Sequence, residues 1–368
     1  MGNDKEKVLF FCNTNYQIIM AINIALSVKK NSECYLIISD SSNNSFIYYN
    51  NAKKCKIFKR IFYIEHKKII KELNRYKKYI LLFYYQLSKN NPIFYEIKNE
   101  YFDEVIAYNL SLSLGLLISQ LIKKNNKIKC SRMEEGLISY NYIDNNTLSN
   151  VSVLNRILNF FHFNEFIKRQ NILYCLYPDS YNGRLQSQQI PMLNYNNYEL
   201  VNNLNIIFGI NNRKLIYDKK YIFFSSILDF DGGESIGELK LAKEIANLVG
   251  YDNLLVKTHP RDNPERFIKE GLNVDTNSTI PWEIIQLNYN FSNHVFISVC
   301  SSSVISINLI ITNPSKTYYI YPFSNYHKNQ LAIKTWNNLL KLLNDSRFKD
   351  KFDKFISIPN KLEDIVQN

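Results

Sequence analysis

The sequence predicts an α/β protein built as two doubly wound domains with a cleft between them. Short apolar strands alternate with helix-period segments from residue 8 to about residue 125. The same alternation restarts near residue 220. A length of 368 residues also suits two domains of about 150 residues rather than one. The expected boundary separates residues 1–190 from residues 191–368.

VLFFCN (8–13) reads as a buried strand, and NYQIIMAINIALSVKK carries helical periodicity. CYLIISD (34–40) and IFKRIFYI (57–64) read as two further strands. An amphipathic helix is expected over 66–89, a strand at 103–109 and a helix at 111–124. Continuous apolar strands alternating with helices imply a parallel sheet covered on both faces. The aromatic, irregular stretch from 150 to 200 reads as a connector. The second series has strands at 220–227, 253–260, 294–300 and 317–322. Its helices are expected at 234–249, near 281–286, and from the serines at 301 onward. Residues 327–368 read as helical. In such folds ligands bind beyond the carboxyl ends of the strands.

Composition narrows the class. The chain is 46% hydrophobic and 21% charged, which is globular, with a formal net charge of +12. The charge is spread in short runs such as Lys67-Lys68, Lys123-Lys124 and Lys219-Lys220. A basic surface suits nucleic acid, an anionic membrane or an anionic substrate, and charge alone does not choose. Clustered Lys/Arg interleaved with aromatics is absent, which argues against nucleic acid. The six cysteines (Cys12, Cys34, Cys55, Cys130, Cys175, Cys300) form no CxxC pair. Scattered thiols in apolar runs suit a reducing compartment. The start MGNDKEKVLFFCNTNYQ has no signal-peptide pattern, and no apolar run reaches the ~20 residues of a membrane span. The expected location is cytoplasmic, with peripheral contact at the inner membrane face.

LLVKTHPRD (254–262) is the most informative segment. An apolar strand ends at His259-Pro260-Arg261, placing a proton-transfer group and a fixed cation at a strand's carboxyl end. A turn histidine beside a structural proline is the plainer reading. SVCSSSVISINLI (298–310) puts Ser301, Ser302 and Ser303 at a helix start, where hydroxyls and free N–H groups can hold phosphate. One serine would be enough for ordinary capping. Glu283, in TIPWEII, can cap its helix or accept both hydroxyls of a ribose. Glu134-Glu135-Gly136 pairs two carboxylates, a setting that can raise the pKa of one of them. Thr14, Asn15 and Gln17 follow the first strand and can bind sugar hydroxyls, with helix capping by Thr14 the plainer reading. Asp229-Phe230-Asp231 is a DxD, a frequent chance match, and no acidic or histidine cluster accompanies it, so no metal is expected there.

These segments together resemble the bacterial sialyltransferases of glycosyltransferase family 52, with their relatives the family 80 enzymes and the bacterial polysialyltransferases. The family's acidic-acidic-Gly, HP and serine motifs appear in order as Glu134-Glu135-Gly136, His259-Pro260 and Ser301-Ser302-Ser303. Thr14-Asn15-Tyr16-Gln17 stands where family 52 has T-P-x-Q, with Asn15 replacing the proline. DEVIAYNLSLS (103–113) and the TIPWE box are also similar.

The resemblance implies a GT-B-type fold of two Rossmann-like domains. Residues 1–190 would be the acceptor-side domain with a connector, and 191–368 the CMP-binding domain. It implies inverting transfer from CMP-sialic acid to a terminal sugar, galactose foremost, of a lipooligosaccharide or capsule-like surface glycan, with no cofactor and no metal. His259 would act as general acid on the departing phosphate. Pro260, Arg261, Glu283, Ser301, Ser302 and Ser303 would form the donor site, and Thr14, Asn15 and Gln17 would bind sugar. Family 52 places the base after strand 220–227 and selects Asp231. Family 80 selects Glu135, and Asp229 is the third choice. The expected partners are a nucleotide sugar and an oligosaccharide or glycolipid acceptor, with an anionic membrane and a second copy of the chain also in view. Two alternatives stand beside this reading: transfer of another sugar such as glucose or Kdo, or a GT-B-like epimerase; and a basic module that binds nucleic acid or a membrane surface.

Overall fold

The computed structural model describes residues 5–68, 97, 99–137, 139–140, 162, 164–210, 217–229, 233–259, 261–275, 280–301, 303–310 and 315–366. The chain forms two compact units. One comprises residues 1–191 and 197–211, the other residues 192–196 and 212–368.

The first unit contains, in chain order, β1 (Lys7–Cys12), α1 (Asn15–Leu26), β2 (Glu33–Ser39), α2 (Ser45–Ala52), β3 (Arg60–Ile64), β4 (Glu104–Ala107), α3 (Leu112–Lys124), β5 (Lys129–Met133), α4 (Glu165–Lys168), β6 (Gln170–Cys175), β7 (Gln186–Gln189) and α5 (Tyr198–Phe208). Its seven strands lie in the order β3-β2-β1-β4-β5-β6-β7, and every pairing is parallel. The order reverses between β1 and β4, so their carboxyl ends flank a topological switch point.

Strand alternation builds two cores here. Leu9 and Phe11 of β1 pack with Tyr35, Ile37, Val105, Ala107 and Cys130 against Leu114, Leu117, Ile118 and Leu121 of α3. The alternate residues Val8, Phe10 and Cys12 are equally buried on the opposite face. Ser111 starts α3 by accepting a hydrogen bond from the Leu114 N–H, and Lys123 and Lys124 close it where a cation suits the helix dipole.

The second unit contains β8 (Tyr221–Phe224), α6 (Glu238–Val249), β9 (Leu254–Lys257), α7 (Glu265–Ile268), β10 (Asn273–Val274), α8 (Trp282–Asn288), β11 (Val295–Ser298), α9 (Ser303–Ile310), β12 (Lys316–Tyr319), α10 (Gln330–Leu343), α11 (Lys349–Phe352) and β13 (Ile356–Ser357). Its sheet order is β10-β9-β8-β11-β12-β13, again all parallel, with the reversal between β8 and β11.

The structure adds strands β5 and β10 that the sequence reading does not contain, and departs from it elsewhere. The stretch read as a connector contributes β6 and β7, which extend the first sheet at one edge. β7 is polar because an edge strand needs less burial, with Gln186, Gln188 and Gln189 exposed, whereas β6 lies between β5 and β7 and buries Leu173, Tyr174 and Cys175. Residues 197–211, placed by sequence in the later domain, carry α5, which packs on α1 and α2 of the first unit. The C-terminal stretch is not wholly helical, since Ile356–Ser357 pairs with β12. Most of the helix expected over 66–89 lies outside the described residues.

One buried ionic cluster underlies the first sheet. Glu104, at the start of β4, pairs with Lys29 at 2.5 Å. It also accepts hydrogen bonds from Ser131 Oγ and, at 3.2 Å, from Tyr174 OH. Glu104 is 1% exposed, and losing it would leave Lys29 with only the more exposed Glu6, at 3.1 Å, as its ion-pair partner among the described residues. Breaking such a pair from one side costs roughly 3 kcal/mol. Glu104→Ala should therefore shift the urea midpoint of the first unit by an amount equivalent to about 3 kcal/mol.

Candidate functional site

In the first unit, the site is built where β1 and β5 end. Thr14 caps α1, accepting a hydrogen bond from the Gln17 N–H at 3.2 Å. The same hydroxyl donates to Glu135 Oε1 at 2.7 Å. Gln17 is buried, and its Oε1 accepts from the Asn13 N–H at 2.7 Å, which holds the loop. Thr14 and Gln17 are thus committed to the loop and to Glu135. Asn15 differs, because its Oδ1 is shielded from solvent and has no donor among the described residues.

The two adjacent glutamates have separate environments. Glu134 is 1% exposed, and its carboxylate accepts from Tyr16 OH at 2.8 Å, from Tyr140 OH and from the Leu176 N–H at 2.8 Å. Three donors make it a structural anchor joining β5, β6 and α1. Glu135 is half-buried and its Oε1 accepts from Thr14 at 2.7 Å, while its Oε2 is shielded and has no donor among the described residues. Burial pushes the Glu135 carboxyl above its ordinary value, and the Thr14 hydroxyl and the Gln17 amide offset part of that. Gly136 turns the chain at φ +65°, and the Ser139 hydroxyl accepts the Glu135 N–H at 2.6 Å.

In the second unit, three sequence motifs meet along one sheet edge. The loops after β8, β9 and β11 leave neighbouring strands on the same side, because all three strands are parallel. His259 follows β9 and is half-buried. Its N–H donates to Ser225 Oγ at 3.0 Å, its carbonyl accepts the Asp262 N–H at 2.8 Å, and its Nδ1 accepts the Arg261 N–H at 3.1 Å. A backbone donor at Nδ1 leaves the proton on Nε2 in the neutral ring. The Arg261 side chain is exposed.

After β11, the Ser301 N–H donates to Ser298 Oγ at 2.9 Å, and the Ser303 N–H reaches Ser301 Oγ at 3.4 Å. Tyr319 OH donates to the Ser301 carbonyl at 2.7 Å. Ser303 opens α9 with its side chain exposed. Glu283 lies in the first turn of α8, close enough for its charge to act on Lys257. Pro260, Ser302 and Asp231 lie outside the described residues.

Sequence reasoning missed two buried networks in this unit. Lys257, the last residue of β9, pairs with Asp275 at 2.8 Å, and Asp275 also accepts from Tyr217 OH at 2.8 Å. Burial pulls the Lys257 ammonium below its ordinary value, against the opposing pull of Asp275.

The second network surrounds Arg266. Its Nε and one terminal nitrogen grip the two oxygens of Asp262 at 2.9 and 2.8 Å, and the guanidinium also bonds Glu238 at 3.1 Å and Asp229. Asp262 lies in the turn before α7, four residues ahead of Arg266, so this pair at least is local in sequence. Asp229 and Glu238 are joined to it only by the fold. Asp229 is thereby committed to Arg266 and to Ser235, whose hydroxyl donates at 2.8 Å. Among the described residues, no group of three His, Cys, Asp or Glu is arranged to hold a metal.

Residues 8–320 match the model of the alpha-2,8-polysialyltransferase (POLYST) family. The chain belongs to that family. It is a glycosyltransferase, and the family is one that the motif resemblance had placed beside family 52. A search of curated protein sequences found no match. Among solved structures, this polysialyltransferase-family chain is similar to the alpha/beta-galactoside alpha-2,3-sialyltransferase of Photobacterium phosphoreum. Identity is 12%, coverage is 98% of this chain and 100% of that one, and the TM-score is 0.50. It is also similar to a UDP-N-acetylglucosamine 2-epimerase, with 13% identity, coverage of 96% and 90%, and a TM-score of 0.48. A UDP-GlcNAc 2-epimerase from Neisseria meningitidis shows 11% identity, coverage of 98% and 97%, and a TM-score of 0.47. Likeness at such identities speaks to fold, and the fold is of the GT-B type with two Rossmann-like units.

Three carboxylates around one guanidinium leave excess negative charge. Burial, with Asp229 and Asp262 nearby, pushes Glu238 up to about 8, although the Ser226 N–H and Arg266 favour its charged form. A carboxyl raised in the folded state stabilises fully below its ordinary value of 4.5, and that stability is lost as the pH rises through about 8. The melting temperature should fall across this window, and Glu238→Gln should flatten the fall. Equal slopes in the two proteins would contradict a raised Glu238.

Proposed function

We propose that the chain transfers sialic acid from CMP-sialic acid to the terminal sugar of a glycan, with inversion and without a metal. The observation that carries the acid–base part is Glu135, a half-buried carboxylate with one oxygen held by Thr14 and the other without a donor among the described residues. In this reading Glu135 takes the proton of the acceptor hydroxyl while that oxygen attacks the anomeric carbon. The bond from the anomeric carbon to the phosphate oxygen breaks, and CMP departs. His259, donating from Nε2, stabilises or protonates the departing phosphate.

The serine hydroxyls at 301–303 and the Arg261 cation would hold the same phosphate, and Glu283 the ribose hydroxyls. Asn15 would accept from a sugar hydroxyl. A base with a raised pKa suits proton abstraction near neutrality better than one of ordinary acidity. The family's description names an α-2,8-polysialyl product, so a sialic acid terminus is the leading acceptor and a galactose terminus the comparison. The donor and such an acceptor are both anionic, which gives the +12 net charge a role. A cytoplasmic site supplied with nucleotide sugar, with an acceptor anchored in a lipid, fits the absence, among the described residues, of a helix long and apolar enough to cross a membrane.

The test is CMP release from CMP-sialic acid with EDTA present, across sialic acid- and galactose-terminated acceptors. His259→Ala and Glu135→Gln should each lower kcat by roughly two to four decades. If Asp231→Asn abolishes turnover while Glu135→Gln does not, the base belongs to the loop after β8. No turnover with any acceptor, together with tighter binding of UDP than of CMP, would reject sialyl transfer in favour of another donor.

A further inference from the structure

We infer that Ser225, Asp262 and Arg266 are positioning residues that fix the imidazole of His259 as an Nε2–H donor. The inference rests on the reading of His259 as the group that meets the departing phosphate.

The geometry forms one relay. Arg266, on α7, holds Asp262 with two parallel hydrogen bonds at 2.9 and 2.8 Å. Asp262 Oδ1 also accepts the Asn263 N–H at 2.7 Å, so its carboxylate cannot rotate freely. Its Oδ2 accepts from Ser225 Oγ at 2.5 Å. With its own proton committed to Asp262, the Ser225 hydroxyl offers lone pairs to the His259 N–H at 3.0 Å. Ser225 is itself tied to β9, because its N–H donates to the Lys257 carbonyl at 3.0 Å. From the other side, the Asp262 N–H donates to the His259 carbonyl at 2.8 Å.

Both backbone groups of His259 are therefore pinned by residues that Arg266 holds in place. The turn so formed delivers the Arg261 N–H to His259 Nδ1 at 3.1 Å. A donor at Nδ1 forbids a proton there in the neutral ring, so Nε2 carries it. The same guanidinium holds Asp229 and Glu238, and Glu238 accepts the Ser226 N–H at 2.9 Å. Arg266 thus sets the loop after β8 and the loop after β9 together. Ser225 and Asp262 are buried, and their polar atoms face each other rather than solvent. Lysine cannot replace Arg266, since one ammonium does not reproduce the planar fork.

The test combines kinetics with nitrogen NMR on protein labelled with 15N-histidine. The chain has five histidines, and a His259→Gln variant assigns the resonance. The wild-type ring should show a protonated Nε2 and a bare, hydrogen-bonded Nδ1. Ser225→Ala and Asp262→Asn should mix the two tautomers and lower kcat by about 10- to 100-fold. KM for CMP-sialic acid should stay within about threefold. Ser225→Thr keeps the hydroxyl and should restore the wild-type nitrogen pattern. All variants are compared below their own melting temperatures, so that lost stability does not count as lost activity. An unchanged nitrogen pattern in Ser225→Ala and Asp262→Asn overturns the inference whatever kcat does. Full activity in His259→Ala would instead remove the functional reading, and the tautomer shift would still decide the positioning.

Discussion

A guanidinium drawn largely out of water must be surrounded by acceptors, and Arg266, its side chain 13% exposed, meets that demand by drawing three carboxylates from three segments. Asp229 comes from the loop after β8, Glu238 from the start of α6, and Asp262 from the turn after β9. Isolated, each charge would cost several kcal/mol to bury. Together they fix loops that β8 and β9 merely deliver to the same edge. The excess of acid over base is resolved by Glu238 holding its proton up to about pH 8. The first unit uses the same device differently. There Glu134 is saturated by two tyrosine hydroxyls and a backbone N–H, which leaves its neighbour Glu135 as the carboxylate with unused capacity. In the first unit, two adjacent glutamates that look interchangeable in sequence thus have different partners, whereas in the second all three acids of the cluster are bound to Arg266.

Much of the fold was legible because parallel strands buried on both faces must be apolar throughout. VLFFC, YLIIS, YIFF and VFIS all announce themselves this way, and each became a strand. Edge strands carry no such mark. QSQQ (186–189) forms β7 with mostly exposed side chains, and Ile356–Ser357 is too short to show a period. Residues 197–211 fall in the later domain by order along the chain, whereas the helix α5 they form, with Leu204, Ile207 and Phe208 buried, belongs to the first unit.

The candidate site was legible as a set of strand ends. His259 and Ser301 follow β9 and β11, whose parallel strands bring their carboxyl ends to one edge of the second sheet, whereas Glu135 follows β5 of the first sheet, a strand the sequence does not announce. Which residues would be neutralised by partners was not legible. Nothing near Glu134 in the sequence says that Tyr16, 118 positions earlier, will bond it. Nothing beside Asp229 predicts Arg266, 37 positions later. Long-range pairing decides which carboxylate keeps a free oxygen, and that decision exists only in the folded chain.

The central claim is that the edge carrying the loops after β8, β9 and β11 binds the nucleotide of the donor. Hydrogen exchange of the full chain with and without CMP tests this without relying on turnover. CMP should slow exchange at backbone amides in 257–262 and 298–303, while the segments 12–17 and 133–137 exchange as before. Protection confined to 12–17 and 133–137, or equal protection by UDP, would contradict the account.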